Sequence, residues 1–255
     1  MWLKHSMYKD ESLKKHYGMM TARLLSAIRV DHPGLMEKIN TQHMWHATRM
    51  LEYPLALQSA PPKGDVFDVG SAKRWSISLL ELSEVTRLTR WHTFQDTVCL
   101  NSIPVSGLGI LPSHGVFELW KEKLRMYWCL PEHLPDEPES SDVVYNISVM
   151  EHVEPENFRK WMDQSWARLK PGGHYFLSCD YYFMLDLGDG KADFIFNHDL
   201  RQWFDSIDAE LVLGNTGELP WHPDYDPSSV HSKDLLTMDF GGPMSVYVLC
   251  LRKKS

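Results

Sequence analysis

Two adjacent side chains that can move protons, Glu151 and His152, stand shortly after the apolar run DVVYNIS. A histidine titrates near neutral pH, so an imidazole here could take the proton of an acceptor hydroxyl in a group transfer. A carboxylate beside it could orient the ring. The sequence therefore predicts His152 as a catalytic base with Glu151 as its partner. The alternative is that both residues begin a helix and bond to its backbone.

A turn that contains a glycine, DVGSAKR, follows the apolar residues of VFDVG. Glycine lets backbone N–H groups come close to a ligand, and a helix that begins at such a turn favours negative groups. A ligand bound at this turn would lie beside Asp68, Gly70, Ser71 and Ala72. The adjacent Lys73 and Arg74 fit a solvated first helical turn, but they also leave open a pocket for an anionic, nucleotide-like ligand.

Aromatic and acidic side chains are concentrated in two segments of the C-terminal half, directly after HYFLSCD and in GELPWHPDYDPSSVHS. Aromatic faces beside hydroxyl-binding carboxylates suit a sugar or polyol, although an ordinary surface loop has the same composition. The predicted substrate contacts are Tyr181, Tyr182, Trp221, His222, Asp224 and Asp226. The last three of these could hold a divalent metal together with His231, but ligand spacing alone does not predict a metal site.

The elements that would position these residues can be traced through residues 142–180. DVVYNIS is a short β-branched run that predicts a buried strand. Pro155 suits a first helical turn, and helical spacing then relates Phe158, Trp161, Met162, Trp166 and Leu169. The run LKPGG ends this helix, and HYFLSCD predicts the next strand. A strand, a helix and a strand in this order form a right-handed crossover unit of a parallel sheet.

The order of VFDVGSAKRW, DVVYNISVMEHV and RLKPGG resembles the class I S-adenosylmethionine (SAM) dependent methyltransferases over roughly residues 63–180. The resemblance implies an α/β fold: a doubly wound, Rossmann-like, mostly parallel sheet of seven strands with an antiparallel last strand. It also implies SAM as the cofactor, with Asp68 and Gly70 matching the acid and first glycine of the family's first motif. A second segment, RMLEYP at residues 49–54, is similar to one in methyltransferases of surface-polysaccharide clusters.

Several positions depart from the cofactor pocket of this family. Ala72 replaces the second glycine of the motif, and Arg74 replaces the third. In an ungapped alignment, Thr89 falls where an acid binds the ribose, and Leu130 falls where an acid meets the adenine amine. Each lost charge-assisted bond is worth roughly 1.5 to 3 kcal/mol, so weaker cofactor binding is expected. Beyond the turn, the implied cofactor contacts are Thr89, Leu130 and Asn146.

A helical extension, residues 1–60, is predicted to precede a methyltransferase-like domain of residues 61–255. One apolar stripe runs through Leu13, Tyr17, Met20, Leu24 and Ile28, and a second runs from Leu35 past His43 and His46 towards Pro54. The histidine pair suits packing better than metal binding. Further strands are predicted at EVTRLT, KLRMYWCL, AELVLG and SVYVLCLRK, and a helix capped by Asn197 is predicted to precede the last two. Residues 90–120 match no element.

Composition agrees with one soluble domain. The chain has 255 residues, enough to bury a large core, and a net charge of -8, which disfavours nucleic-acid partners. Its four cysteines are scattered, as in proteins of a reducing compartment. No apolar run is long enough to span a membrane, so a cytoplasmic protein is expected. No feature indicates an oligomeric state.

These features together predict SAM-dependent methyl transfer to a small molecule or glycan precursor. Two other classes stay open. In one, the fold has lost cofactor binding and serves as a partner or regulatory module. In the other, the pocket beside Lys73 and Arg74 takes an anionic ligand.

Overall fold

The structure is a computed structural model that describes residues 1–31, 48–70, 84–92, 115–119, 124–128, 134–182, 198–218, 236, 238–239 and 243–255. Its α-helices are α1 (Glu11–Asp31), α2 (Arg49–Ser59), α3 (Pro155–Ala167) and α4 (Leu200–Phe204). Its strands are β1 (Gly64–Val69), β2 (Val85–His92), β3 (Gly115–Leu119), β4 (Leu124–Trp128), β5 (Ser141–Ile147), β6 (Leu169–Tyr182), β7 (Ala209–Leu213), β8 (Met238–Asp239) and β9 (Pro243–Lys253).

All the described strands belong to one sheet with the order β3-β4-β2-β1-β5-β6-β9-β7, and β8 pairs with β9. The strands from β4 to β6 in this order form a parallel centre, and β9 runs antiparallel to β6, β7 and β8. This confirms the Rossmann-like α/β fold and its antiparallel last strand. The predicted count of seven strands is not confirmed. The structure adds two strands. One is β3, which lies within residues 90–120, where the sequence predicted no element, and pairs antiparallel with β4; the other is the two-residue β8.

Alternating side chains of the central strands divide the core into two layers. On one face, Val144 of β5 packs in a cluster with the α3 residues Phe158, Trp161 and Met162. On the other face, Val143, Tyr145 and Ile147 pack in a cluster with Leu13, Tyr17 and Met20 of α1 and with Leu51, Tyr53, Leu55 and Ala56 of α2. A strand that is buried on both faces carries apolar residues at adjacent positions, as DVVYNIS does at Val143, Val144 and Tyr145.

Two predicted helix boundaries are wrong. The second N-terminal helix was expected to end near Pro54, but α2 continues through this proline to Ser59. Burial of Leu55 and Ala56 against the sheet outweighs the one backbone hydrogen bond that the proline ring removes. At the other boundary, Leu169 was expected in the helix, but it already pairs with Ser141 as the first residue of β6.

The run KPGG is a bulge within β6 rather than a link before it. The pairing of β5 with β6 shifts register between Ser141 and Val143, so that Leu169 and His174 flank the extra residues. Gly172 has a φ of 76°, a left-handed conformation that glycine adopts without strain.

The first residues of the chain are extended and join the sheet. Trp2 forms a β-bridge with Tyr247, and the Leu3 N–H donates to the Val246 carbonyl oxygen at 3.0 Å. The stripe of α1 is buried at Leu13, Tyr17 and Met20, whereas the side chains of its later members lie outside the described residues. The same is true of the predicted stripe from Leu35 to His46. None of the helices in the described ranges has the length and apolarity needed to cross a bilayer.

Candidate functional site

The carboxyl ends of β1, β5 and β6 lie side by side, because these strands are neighbours and parallel. In open α/β sheets, ligands bind outside this edge of the sheet. Three segments meet there: the turn that begins at Gly70, the residues from Ser148 to His152 that follow β5, and the last residues of β6. This edge is therefore the candidate site.

Gly70 joins the first two of these segments. Its φ is 58°, and its N–H donates to the Trp91 carbonyl oxygen at 2.6 Å. A Cβ atom at this position would lie 2.8 Å from Val149 Cγ1, a distance that non-bonded carbons do not tolerate. Both the left-handed backbone and the contact with Val149 thus require glycine. The next residues of the turn, Ser71 and Ala72, lie outside the described part of the chain, as does Leu130.

The other predicted cofactor residues occupy different depths in the sheet. Asp68 is fully buried in β1, one residue before the end of the strand. Thr89 is nearly buried and pairs with Phe67, but β2 continues beyond it to His92. The contact of Thr89 with a ribose stays a prediction.

Asn146 belongs to a buried polar network under α3. Its Nδ2 donates to the Tyr175 hydroxyl oxygen at 3.0 Å, and that hydroxyl lies 2.8 Å from Ser165 Oγ. Asn146 Oδ1 is buried and accepts no hydrogen bond from a described residue. The amide thus anchors α3 to the sheet, and its role in cofactor binding also stays a prediction.

An ion pair between a half-buried arginine and a buried glutamate connects α2 to the ends of β5 and β6. The sequence did not reveal it as part of the site. Glu52 is fully buried, and its Oε2 lies 2.7 Å from Arg49 Nη1. Glu52 Oε1 also accepts hydrogen bonds from Ser148 Oγ at 2.7 Å and from Ser178 Oγ at 2.5 Å. Arg49 donates to Ser148 Oγ as well. The available signal was RMLEYP, which places Arg49 and Glu52 one helical turn apart.

These bonds decide the charge of the pair. Burial by itself would raise the pKa of Glu52, but Arg49 and the hydroxyl groups of Ser178, Ser148 and Thr48 lower it below its usual value. Burial would lower the pKa of Arg49, but Glu52 and other acidic groups raise it overall. Glu52 is therefore an anion and Arg49 a cation at neutral pH.

Ser148 adopts a conformation that is unusual for a residue with a side chain. Its φ is 48°, in the left-handed region. Its N–H donates to the Ser178 carbonyl oxygen at 3.0 Å, and its hydroxyl bonds to the Arg49–Glu52 pair, so both its backbone and its side chain are held. Backbone strain of this kind persists where the surroundings fix it and is concentrated at functional sites.

Glu151 and His152 lie in a short 3-10 turn, Met150–His152, that follows Ser148 and Val149. The Glu151 side chain is fully buried, whereas His152 is exposed. Neither carboxyl oxygen of Glu151 accepts a hydrogen bond of normal geometry from the described residues. Burial raises the pKa of Glu151 to about 8; its own N–H, Arg49 and the Cys179 thiol lower it, and Glu52 raises it. Glu151 therefore holds a proton at pH 7 for most of the time.

His198, which the sequence gave no reason to select, fixes the turn that carries Glu151. Its ring stacks on Phe158 with the centroids 4.0 Å apart, and its Nε2 lies 2.9 Å from the Met150 carbonyl oxygen. Burial lowers the pKa of His198, so the neutral ring donates this hydrogen bond. The cap of the helix that follows is Asp199, whose side chain accepts from the N–H groups of Arg201 and Gln202. The predicted cap, Asn197, lies outside the described residues.

Asp180 and Tyr181 complete the edge from β6. Burial raises the pKa of Asp180 well above its usual value; Glu151 and Glu52 add to this effect, and Arg49 and His152 oppose it. Asp180 Oδ1 is buried and accepts no hydrogen bond from a described residue. Tyr181 is buried, and its hydroxyl donates to the His198 carbonyl oxygen at 2.9 Å, so this predicted substrate residue is engaged in packing.

The remaining predicted substrate residues cannot be related to this edge. The side chain of Tyr182 and all atoms of Trp221, His222, Asp224 and Asp226 lie outside the described part of the chain. The same holds for Lys73, Arg74 and His231. Within the described ranges, no group of three or more histidine, cysteine, aspartate or glutamate side chains is arranged to hold a metal ion.

The order and direction of the strands, with helices packed on both faces of the sheet, define a doubly wound α/β fold. Among solved structures, this fold is shared with 1,6-didemethyltoxoflavin-N1-methyltransferase of Burkholderia thailandensis, with a TM-score of 0.50 and 14% identity over 91% of this chain and 89% of that one. It is also shared with the YcgJ protein of Bacillus subtilis, with a TM-score of 0.51 and 14% identity over 80% of this chain and 98% of that one. The chain thus has the class I methyltransferase fold.

Sequence comparisons add no closer relative. No protein-family model matches the chain. No curated protein matches it either. The Burkholderia enzyme was crystallised with 1,6-didemethyltoxoflavin and S-adenosylhomocysteine. At this level of identity the likeness concerns the fold, and the function must be argued from the site.

Proposed function

We propose that the protein is a SAM-dependent methyltransferase acting on a small-molecule acceptor. The observation that carries the proposal is the convergence of buried polar groups at the carboxyl edge of β1, β5 and β6. Glu151 is fully buried there with no normal hydrogen bond from the described residues, and Ser148 is held in a left-handed conformation. Both features cost stability, and their occurrence together at this edge supports a role in binding a ligand.

The residues near β1 fit SAM as the cofactor. Gly70 follows β1 directly in a left-handed conformation, at the edge of the sheet where the methionine portion of SAM would lie, and Asp68 supplies a buried carboxyl group near the end of the strand. When bound, SAM supplies an electrophilic methyl group on a sulfonium ion. The family resemblance suggests further contacts with SAM, which we retain as proposals: Ser71, Ala72, Thr89, Leu130 and Asn146.

The segments after β5 and β6 would hold the acceptor. A rigid edge that positions a nucleophile beside an electrophile supplies most of the rate of such a transfer. Glu151 and His152 are the candidates for removing a proton from the acceptor, with the buried carboxyl group on the inner side of the turn and the imidazole on its exposed side. A glycan precursor remains the acceptor class favoured by RMLEYP and by the aromatic and acidic composition of residues 217–232.

Binding of S-adenosylhomocysteine to the purified protein tests the proposal. We expect a dissociation constant no weaker than about 100 μM, roughly -5.5 kcal/mol, by calorimetry. Gly70→Ala should weaken binding at least tenfold, because the new Cβ meets Val149 and must move the turn. Gly172→Ala is the matched control: Gly172 also has a positive φ, but a Cβ there meets nothing within 4 Å.

The result also separates the alternative functions. No heat and no thermal shift with millimolar S-adenosylhomocysteine would refute the enzyme and leave the partner or regulatory module. Equal weakening by Gly70→Ala and Gly172→Ala would show that backbone strain, rather than the turn at the site, accounts for the loss.

A further inference from the structure

We propose that the carboxyl groups of Glu151 and Asp180 bind a primary amine of the methyl acceptor, so that the reaction is an N-methylation; this rests on the methyltransferase function proposed above. The two residues lie at the ends of neighbouring segments, one in the turn after β5 and one near the end of β6. Glu151 raises the pKa of Asp180, and the backbone of Ser148 in the turn bonds to Ser178 of β6, so the two carboxyl groups belong to one cluster.

The cluster presents carboxyl oxygens to which the described residues make no hydrogen bond of normal geometry, although the Cys179 thiol and the Glu151 N–H act on Glu151. Both oxygens of Glu151 and Oδ1 of Asp180 are buried and accept no hydrogen bond of normal geometry. Buried carboxyl oxygens without donors are rare in folded proteins, because burial removes their hydrogen bonds to water and the loss costs free energy unless other donors replace them. A protonated primary amine offers three N–H donors and a positive charge, whereas a hydroxyl offers one donor and no charge. The acceptors therefore match an ammonium group better.

The nearby cation does not fill this role. Arg49 directs its Nη1 to both oxygens of Glu52 and to Ser148 Oγ. Glu52 in turn is satisfied by Arg49, Ser148 and Ser178. The ion pair therefore fixes the floor of the cluster. Arg49 acts on Glu151 and Asp180 through its charge, and its Nη1 bonds go to Glu52 and Ser148.

The proton and the methyl group can both be accounted for. The carboxylate of Glu151 accepts one proton from the bound ammonium, which gives a neutral amine and a protonated Glu151. The nitrogen lone pair then attacks the methyl carbon of SAM: the N–C bond forms, the S–C bond breaks, and its electron pair stays on sulfur. The products are a methylammonium ion and neutral S-adenosylhomocysteine, and Glu151 afterwards loses its proton to water.

Amine binding should depend on pH through the cluster. The groups that face Glu151 are Arg49 and Glu52 of α2, and Cys179, Asp180 and Tyr181 of β6. A carboxyl group with a pKa of about 8 is mostly neutral at about pH 6.5 and mostly ionised at about pH 8.5. An alkylammonium ion keeps its charge throughout this window. The affinity for an amine should therefore rise about tenfold or more over these two pH units.

Paired probes that differ in one group provide the test. Binding of benzylamine and of 6-amino-6-deoxyglucose would be measured by calorimetry or ligand-observed NMR against benzyl alcohol and glucose, with S-adenosylhomocysteine present and absent. We expect at least one amine to bind tenfold more tightly than its hydroxyl analogue and to bind the S-adenosylhomocysteine complex. We also expect this preference to increase with pH.

Variants of the two carboxyl residues test whether they cause the preference for an amine over its hydroxyl analogue. Glu151→Gln and Asp180→Asn keep the shape of the protonated carboxyl groups, so they should fold and should each reduce amine affinity tenfold. Glu156→Gln, an exposed residue of α3, should leave it unchanged.

Three results would overturn the inference. These are equal binding of amine and hydroxyl in both pairs, an unchanged preference in Glu151→Gln, and displacement of the amine by S-adenosylhomocysteine. The last result would assign the carboxyl groups to the cofactor's own ammonium. Because cofactor binding is measured in the same samples, binding of S-adenosylhomocysteine without an amine preference refutes N-methylation alone, whereas absence of cofactor binding refutes the methyltransferase.

Discussion

At the residue scale, the folded protein disfavours the ionised form of Glu151. The carboxyl group is fully buried, and its pKa of about 8 lies above the ordinary value of 4.5. A raised carboxyl pKa means that the folded state holds the proton more tightly than the unfolded chain. The folded protein therefore loses stability as the pH rises from about 4.5 through about 8. Sites for ligands often contain such destabilising groups.

Replacing Glu151 with glutamine should therefore stabilise the protein at alkaline pH. Glutamine resembles the protonated acid and has no charge to bury. We expect the free energy of unfolding of Glu151→Gln to exceed that of the wild type by about 2 to 4 kcal/mol at pH 9, and by little at pH 5. Urea unfolding at the two pH values measures the difference.

His152→Gln serves as the neighbouring comparison. Its side chain is exposed, so its replacement should leave the stability of the protein within about 0.5 kcal/mol of the wild type at both pH values. A similar gain in both variants would contradict the burial of Glu151. Once an acceptor is known, turnover of the same two proteins decides the proton carrier: the base contributes about a hundredfold. A normal rate and a flat pH profile in His152→Gln would exclude His152.

At the scale of elements, α2 connects the N-terminal half to the site. Its apolar residues Leu51, Leu55 and Ala56 are buried against the sheet, and its polar residues Arg49 and Glu52 bond to the ends of β5 and β6. A change in the ion pair therefore acts both on the docking of a helix and on the floor of the carboxyl cluster.

Removing the charge of Glu52 should destabilise this connection. In Glu52→Gln, Arg49 loses the ionised partner that offsets its desolvation, and breaking a buried pair in this way costs about 3 to 5 kcal/mol. The double variant Arg49→Met with Glu52→Leu should recover most of this loss, because no unpaired charge remains. Chemical denaturation of the three proteins measures the coupling.

A surface pair of similar geometry provides the control. Arg159 and Asp163 lie 2.7 Å apart on α3 with about half of each side chain exposed, at 49% and 48%. Asp163→Asn should change the free energy of unfolding by no more than about 0.5 kcal/mol. If Glu52→Gln were as mild as Asp163→Asn, the ion pair would not hold α2 to the sheet.

At the scale of the whole molecule, the described N-terminal residues, 1–31 and 48–60, share a core with the rest of the chain. Leu3, Leu13, Leu51 and Ala56 pack in one cluster with sheet residues such as Tyr145. Tyr145 also donates a 2.5 Å hydrogen bond to the Ala60 carbonyl oxygen. Without these residues, one apolar face of the parallel sheet would be exposed to water.

A chain that begins at residue 61 should therefore not fold cooperatively. We expect it to be poorly soluble or to lack the near-ultraviolet circular dichroism of fixed aromatic side chains, because it loses the partners of a buried face. The full chain serves as the control. A sharp thermal transition in the shortened chain would instead establish residues 61–255 as an independent domain and residues 1–60 as an accessory extension.

The sequence by itself determined the class of fold. In DVVYNIS and HYFLSCD, apolar residues occupy adjacent positions, which occurs in strands covered on both faces. Pro155 and the stripe of α3 between the two runs predict a parallel crossover. These signals are local in the chain. The same local reasoning selected Glu151, because it follows a strand at the edge where ligands bind.

Tertiary structure alone decided which groups of the site are buried, paired or charged. Glu52 is 96 residues from Ser148 and 126 residues from Ser178, so no local pattern could show that it accepts hydrogen bonds from both serines. Glu151 and His152 are adjacent in the sequence, yet one is buried and the other exposed. The burial of a side chain and its pairing with charges depend on neighbours that are distant in the sequence. Burial and pairing in turn set the pKa of the side chain and its chemistry.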